Sequence, residues 1–206
     1  SSIILGAEAI RLAGSDAQKA IWLPRLASGE AVATFAYAEG PGPVFAAGAS
    51  LHDGRLSGSK SPVADAGIAD IAVVLVAAGG FALVPLDQPG VTRTRLESFD
   101  QLRPHYRLDF ADAVAEAMPG IGKLDRLIDQ AAVQAAFEAV GASAACLAMA
   151  RDYAMERQMF GRPLAGYQAI KHKLADVAVA TELARSNAYY GGWAAESSPD
   201  DLPAAA

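Results

Sequence analysis

The spacing of apolar residues changes twice along this chain, and that double switch rules out any single-class fold. Residues 2–28 are apolar at helical intervals, residues 31–110 at every second position, and residues 121–195 at helical intervals again. A segment patterned for one period cannot bury its apolar side in the other. The expectation is an α+β, multidomain architecture with three parts: helices over 1–30, an antiparallel barrel or sandwich over 31–112, and helices over 113–206.

Local signals place the elements. "GAEAIRLAG" stops at Gly14, and Ser15 followed by Gln18 has the spacing of a capping box for a second helix, which Pro24 should limit or kink. In the middle zone "AVATFAY" (31–37) alternates, and Asp53-Gly54 within "ASLHDGRLSGSK" predicts a hairpin. "ADIAVVLVAA" and "FALVPLD" flank Gly79-Gly80 as a second hairpin, and "VTRTRLES" and "HYRLDFA" complete at least six short strands. Leu124, Leu127/Ile128, Ala131, Val140, Leu147 and Ala154 then lie along one long helix, and Ile170, Leu174, Val177/Ala178, Thr181, Ala184 and Ala188 along another. Dense alanine between 131 and 154 lets neighbouring helices approach closely. Two antiparallel helices bury one stripe and leave another uncovered, so further helices are expected, from more chain or from another subunit. The chain opens mid-pattern at "SSIILGAEAI" and stops at "PDDLPAAA", which reads as a piece of something longer.

Composition narrows the partners. With 52% hydrophobic and 19% charged residues, the 206-residue chain can build a sizeable core. A net charge of −6 argues against nucleic acid or an anionic membrane, both of which need surplus Lys and Arg. The longest strongly apolar run, residues 71–78, falls well short of the roughly 20 residues of a membrane span. The single cysteine, Cys146, reads as a small buried apolar side chain; it excludes an internal disulfide, and with no visible leader the expected location is cytoplasmic. His52, His105 and His172 lack metal-ligand spacing, so no metal is expected.

The joint between the two long helices, "RDYAMERQMFGRPLAGYQAIKH" (151–172), carries Arg157, Phe160 and Gln168. Singly these read as a helix-end cation, a core plug and an exposed helix residue, with Gly161 as a C-cap. Together they suit a dinucleotide. A guanidinium holds a pyrophosphate with two parallel bonds, an aromatic ring stacks on a flat heterocycle, and an amide bonds its edge. Glycine beside them lets a ligand approach the backbone.

The stretch "RQMFGRPLAGYQAIKHKLAD" (157–176) resembles the motif R-x-x-F-G-x-P-[LI]-x-x-x-Q-[AS]-[IL]-x-x-x-[LM]-A-D of the acyl-CoA dehydrogenase family. "GSDAQKAIWLPRLASGEAVATFAYAE" (14–39), "GRLSGSK" (54–60) and "ADIAVVLVAA" resemble other family segments in the same order and spacing. The resemblance implies a helical domain, a β domain and a four-helix bundle, of which this chain holds the end of the first, all of the second and half of the third. It implies FAD at a subunit interface of a homo- or hetero-oligomer (a dimer of dimers), with Arg157 at the pyrophosphate and Phe160 and Gln168 against the adenosine of a neighbouring subunit's FAD. It implies an acyl-CoA substrate, with Asp129 as a partner for the CoA moiety.

Three further positions, Glu39, Val63 and Ala64, match family segments that face the flavin, but the segments depart from the pattern. T-E-P-x-x-G-S-D reads "AEGPGPVF" (38–45), where Ala38 lacks the hydroxyl and Pro43-Val44-Phe45 replaces G-S-D. K-x-W-I-T-N reads "KSPVAD" (60–65), with Pro62 for the tryptophan and Ala64 for the threonine. The family's catalytic glutamate is expected beyond residue 206. The alternative position on the first bundle helix aligns with Ala131, which cannot act as a base. Three readings stand: an active flavoprotein dehydrogenase, an inert subunit lending its clamp to a partner, and a scaffold that keeps only the fold.

Overall fold

Gly14 ends a first short helix and Ser15 starts the next, because a serine before an amphipathic run satisfies amides that no earlier carbonyl can reach. The computed structural model describes residues 2–42, 45, 47–100 and 102–206, with backbone alone for Ser2 and Ile3. Contacts divide the chain into two units, Ser1–Leu127 and Ile128–Ala206.

In the first unit, α1 (Glu8–Ala13) is followed by α2 (Asp16–Ser28), whose capping box is formed in full by Ser15 and Gln18. Pro24 does not limit α2, which runs on to Ser28 and closes at Gly29 in the left-handed conformation. The packing of Leu26, Leu23 and Trp22 against the sheet below outweighs the one amide bond that proline removes.

Among the described residues eight strands follow: β1 (Ala33–Ala36), β2 (Ser50–His52), β3 (Arg55–Ala64), β4 (Ile71–Val76), β5 (Gly80–Pro85), β6 (Val91–Arg95), β7 (His105–Val114) and β8 (Glu116–Met118). They form two four-stranded sheets, β1-β4-β5-β8 and β2-β3-β7-β6. Both expected hairpins are present, with Asp53-Gly54 at positive φ in the first turn, but the second turns at Ala78-Gly79 and not at Gly79-Gly80, because Gly80 already pairs with Val76 as the first residue of β5. The sheets are not purely antiparallel, because β1 pairs parallel to β4, Ala33 opposite Ile71. The β2–β3 hairpin, which belongs to the other sheet, lies between them in sequence, so β1 cannot turn straight back onto β4.

β4 explains the continuous apolar run. Ala72, Val74 and Val76 face a core shared by the two sheets, whereas Ile71, Val73 and Leu75 face a second core shared with α1, α2 and the start of the next helix. The strand is buried on both sides, so its alternation is of faces and not of polarity.

The second unit is dominated by α3 (Leu124–Glu156), which begins in the first unit, and α4 (Gln168–Ser197), with a short α5 (Leu202–Ala205). Phe137 meets Tyr189 edge-on, with ring centroids 5.4 Å apart. A Cβ on Gly191 would sit 3.0 Å from Val133 Cγ2 and 3.2 Å from the Ala205 carbonyl, so glycine is what lets three helices meet there. The uncovered stripe is present: Met149, Met155, Val179, Leu183, Tyr190 and Trp193 are exposed. Cys146 is exposed too, against the expectation of a buried side chain. It lies in an open furrow with Ala142, Val177 and Ala180, where the two helices leave space between small side chains. A window of α3 with mean hydropathy 1.4 is long and apolar enough to cross a membrane by composition alone, which a search for unbroken apolar runs overlooks. Alanine supplies much of that value, and the helix meets, through Phe137 on Tyr189, an α4 that carries Lys171, Lys173, Asp176, Glu182 and Arg185 over its length.

Candidate functional site

α3 ends at Glu156, earlier than Phe160-Gly161, and the joint is a small hairpin. β9 (Gln158–Met159) pairs with β10 (Arg162–Pro163), and Phe160 and Gly161 form its two-residue turn at φ 49 and 78. Two successive positive φ values mark a type I′ turn, the form that matches strand twist. Gly161 is thus a turn residue and not a helix C-cap. Phe160 is not a core plug, because its ring is 92% exposed. After one 3₁₀ turn over Leu164–Gly166, Tyr167 precedes α4 and Gln168 is its first residue.

The hairpin therefore gathers Arg157, Phe160 and Gln168 at one end of the helix pair, all three exposed. The Arg157 amide closes α3 on the Tyr153 carbonyl at 2.9 Å, and its own carbonyl accepts from Leu164 at 2.8 Å. Its guanidinium bonds no described residue, which leaves all its donors for a ligand. At the start of α4 the leading amides have no earlier carbonyl to reach, so the helix end favours negative charge. Two residues that the sequence reading did not single out complete the joint. The Tyr167 hydroxyl donates to the Met159 carbonyl at 2.8 Å, and the Arg162 guanidinium lies 3.9 Å from the centre of the Tyr167 ring. An aromatic directly before Gln168 and a cation in the second strand were the available signals.

Asp129 lies near the other end of α3, half-buried. At about 1.5 Å of rise per residue the helix separates it from Arg157 by roughly 40 Å, so the two belong to different sites.

The β-unit residues look inward. Glu39 accepts from the amides of Gly48 (2.8 Å) and Ala49 (2.9 Å) and from Lys60 Nζ at 2.6 Å. Lys60 is fully buried and also reaches the Tyr37 carbonyl at 3.3 Å. Partial burial works to raise the Glu39 carboxyl, but Lys60 and the two amides outweigh it and hold its pKa below the ordinary value. Burial pushes the Lys60 ammonium down, only partly offset by Glu39. Val63 is fully buried in the inter-sheet core, and the Ala64 carbonyl accepts from the Thr34 hydroxyl at 2.6 Å. Ala38 and Ser61 are already bonded through the backbone, Ser61 amide to Ala38 carbonyl at 2.8 Å. Of the triplet Pro43-Val44-Phe45, the first two lie outside the described residues, and Phe45 packs against Tyr37 with the rings tilted and their centroids 5.6 Å apart. What this edge can still offer a ligand is backbone and the Ser61 hydroxyl.

Likenesses to known proteins bear on these arrangements. The family model described as "Acyl-CoA dehydrogenase, C-terminal domain" matches residues 120–206. The short-chain specific acyl-CoA dehydrogenase of Sus scrofa mitochondria is 33% identical over 84% of this chain and 47% of its own length. The glutaryl-CoA dehydrogenase of Mycobacterium smegmatis superposes with a TM-score of 0.86 at 30% identity, over 98% of this chain and 57% of that one. A structure of a glutaryl-CoA dehydrogenase from the same organism in complex with FADH2 superposes with a TM-score of 0.82 at 27% identity, over 94% and 55%. The chain thus spans about half the length of the relatives it matches.

Proposed function

This chain is a member of the acyl-CoA dehydrogenase family, and on that footing we propose that it works within an FAD-dependent acyl-CoA dehydrogenase, offering its helix joint to an FAD held with a neighbouring subunit. The observation that carries the reading is the hairpin itself: a free guanidinium, an exposed ring and a terminal amide gathered beside the positive end of a long helix. That donor set fits a pyrophosphate joined to a flat heterocycle. Arg157 holds the pyrophosphate, and Phe160 and Gln168 lie against the adenosine. When bound, FAD supplies the acceptor for the hydride that leaves Cβ of an acyl thioester as Cα loses its proton.

The remaining assignments belong to the same proposal. Residues 1–30 close a helical domain, 31–112 form the β domain, and 113–206 supply half of a four-helix bundle whose exposed stripe other helices cover. Asp129 contacts the CoA moiety. The base lies outside these residues, since its alternative position on α3 is Ala131. The assembly is a homo- or hetero-oligomeric dimer of dimers in the cytoplasm.

A second reading, an inert subunit that lends its clamp to a partner, is favoured by the β unit. Ala38 and Ala64 carry no hydroxyl, the Thr34 hydroxyl is spent on Ala64, and Glu39 is spent on Lys60 and two amides. Flavin contact there falls to backbone and Ser61. Arg157→Ala in the full-length protein tests the shared premise. Losing charge-assisted bonds worth about 1.5–3 kcal/mol weakens FAD binding roughly 10- to 150-fold. Unchanged retention on gel filtration, with or without a co-expressed partner, would count against both readings. A flavin band that bleaches with acyl-CoA when the protein is purified alone would refute the inert-subunit reading.

A further inference from the structure

The hairpin that presents Phe160 has little of its own to hold it in shape. Two residue pairs close it, Gln158 with Pro163 and Met159 with Arg162. Pro163 has no amide to donate, and even full-length isolated hairpins are marginal in water. The tip is strained, because Phe160 occupies φ 49 at a turn position that favours asparagine or glycine. Exposure of the ring means that no packing offsets that strain.

What opposes collapse of the tip is Tyr167. Its hydroxyl bonds the Met159 carbonyl, the one immediately before the strained residue, at 2.8 Å. Its ring face lies against the guanidinium of Arg162, two residues after the strained one, at 3.9 Å. One side chain therefore holds both strands, one on each side of the tip. Tyr167 is itself anchored in the helix it precedes, since its carbonyl accepts from the amides of Ile170 and Lys171 at 3.1 Å each. Its hydroxyl makes no capping bond to α4, so the side chain is committed to the hairpin.

We propose that Tyr167, braced by Arg162, is a positioning residue that fixes the Phe160 tip relative to Gln168 and Arg157 before a dinucleotide arrives. The proposal rests on the reading that this joint takes FAD. Tyr167 acts through Phe160 and touches no ligand itself. Pre-organising the tip lowers the ordering cost that binding would otherwise carry.

The test is FAD titration by flavin fluorescence on the full-length protein in its assembly, with thermal unfolding alongside. Tyr167→Phe removes the hydroxyl and keeps the ring, so affinity falls roughly three- to tenfold, the worth of one hydrogen bond, while the melting temperature falls by no more than a few degrees. In a Phe160→Ala background the same change has no further effect, because there is no ring left to position. An equal loss in both backgrounds overturns the proposal, since the tyrosine would then act otherwise than through the tip. So does wild-type affinity in Tyr167→Phe where Arg157→Ala weakens binding, and in that case the FAD reading stands. If neither variant weakens FAD, the reading fails and the proposal with it.

Discussion

Replacing Phe160 by asparagine should separate what the ring does for the fold from what it does for a ligand. At φ 49 the phenylalanine occupies a left-handed conformation that costs an ordinary L-residue about 1–2 kcal/mol, and asparagine escapes part of that cost. Because the ring is 92% exposed, almost no apolar burial is lost in exchange. The folded protein should therefore gain about 0.5–1 kcal/mol, which raises the melting temperature by roughly 1–4 °C for a chain of this size. Binding should move the other way. An aromatic stacked on a base contributes about 1–3 kcal/mol, so FAD affinity falls roughly 5- to 150-fold. Scanning fluorimetry of the FAD-free protein and flavin titration of the same sample report the two effects independently. A fall in melting temperature of several degrees would mean that the ring packs somewhere, and unchanged FAD affinity would mean that it does not stack.

The Glu39–Lys60 pair gives an ordered prediction. Glu39→Ala strands a buried ammonium and should cost about 3–5 kcal/mol, whereas Lys60→Met removes the buried charge and leaves Glu39 its two amide donors, so it costs less; urea midpoints in the reverse order would refute the pairing. The pH dependence follows from the lowered Glu39 pKa. Its contribution is fully present above the ordinary value of about 4.5 and is lost as pH falls through the folded value. Glu39→Gln should accordingly flatten the acid limb of the stability curve, and an unaltered limb would remove Glu39 from the account.

The parts of the fold legible in the sequence are those decided within a few residues. Ser15 and Gln18 cap α2 because both partners lie three positions apart, and Asp53-Gly54 turns a hairpin because the turn residues themselves supply positive φ. The parallel pairing of β1 with β4 was not legible, since it is settled by which core each strand face meets. Pro24 misleads for the same reason: a local penalty yields to burial of Leu26 and its neighbours. Composition points to a buried Cys146, yet burial on α3 depends on which face α4 covers. At the joint the sequence supplied Arg157, Phe160 and Gln168 but not their frame. The hairpin register, the strain at Phe160 and the grip of Tyr167 all arise from pairing between residues on either side of the turn.

The two groups of residues matched to the cofactor carry unequal weight as evidence for it. Glu39 has a complete internal explanation, because a buried lysine and two loop amides would require its carboxylate with or without a ligand. The same holds for Val63 in the core and for the Ala64 carbonyl under Thr34. Phe160 has no internal explanation: it is exposed, strained and braced by another side chain at a place where glycine or asparagine would fold more easily. A residue that costs the fold something and gains it nothing is best accounted for by an external partner. The dinucleotide reading therefore rests on the hairpin. The β unit instead bears on whether this subunit brings a flavin into reaction itself or holds one for its neighbour.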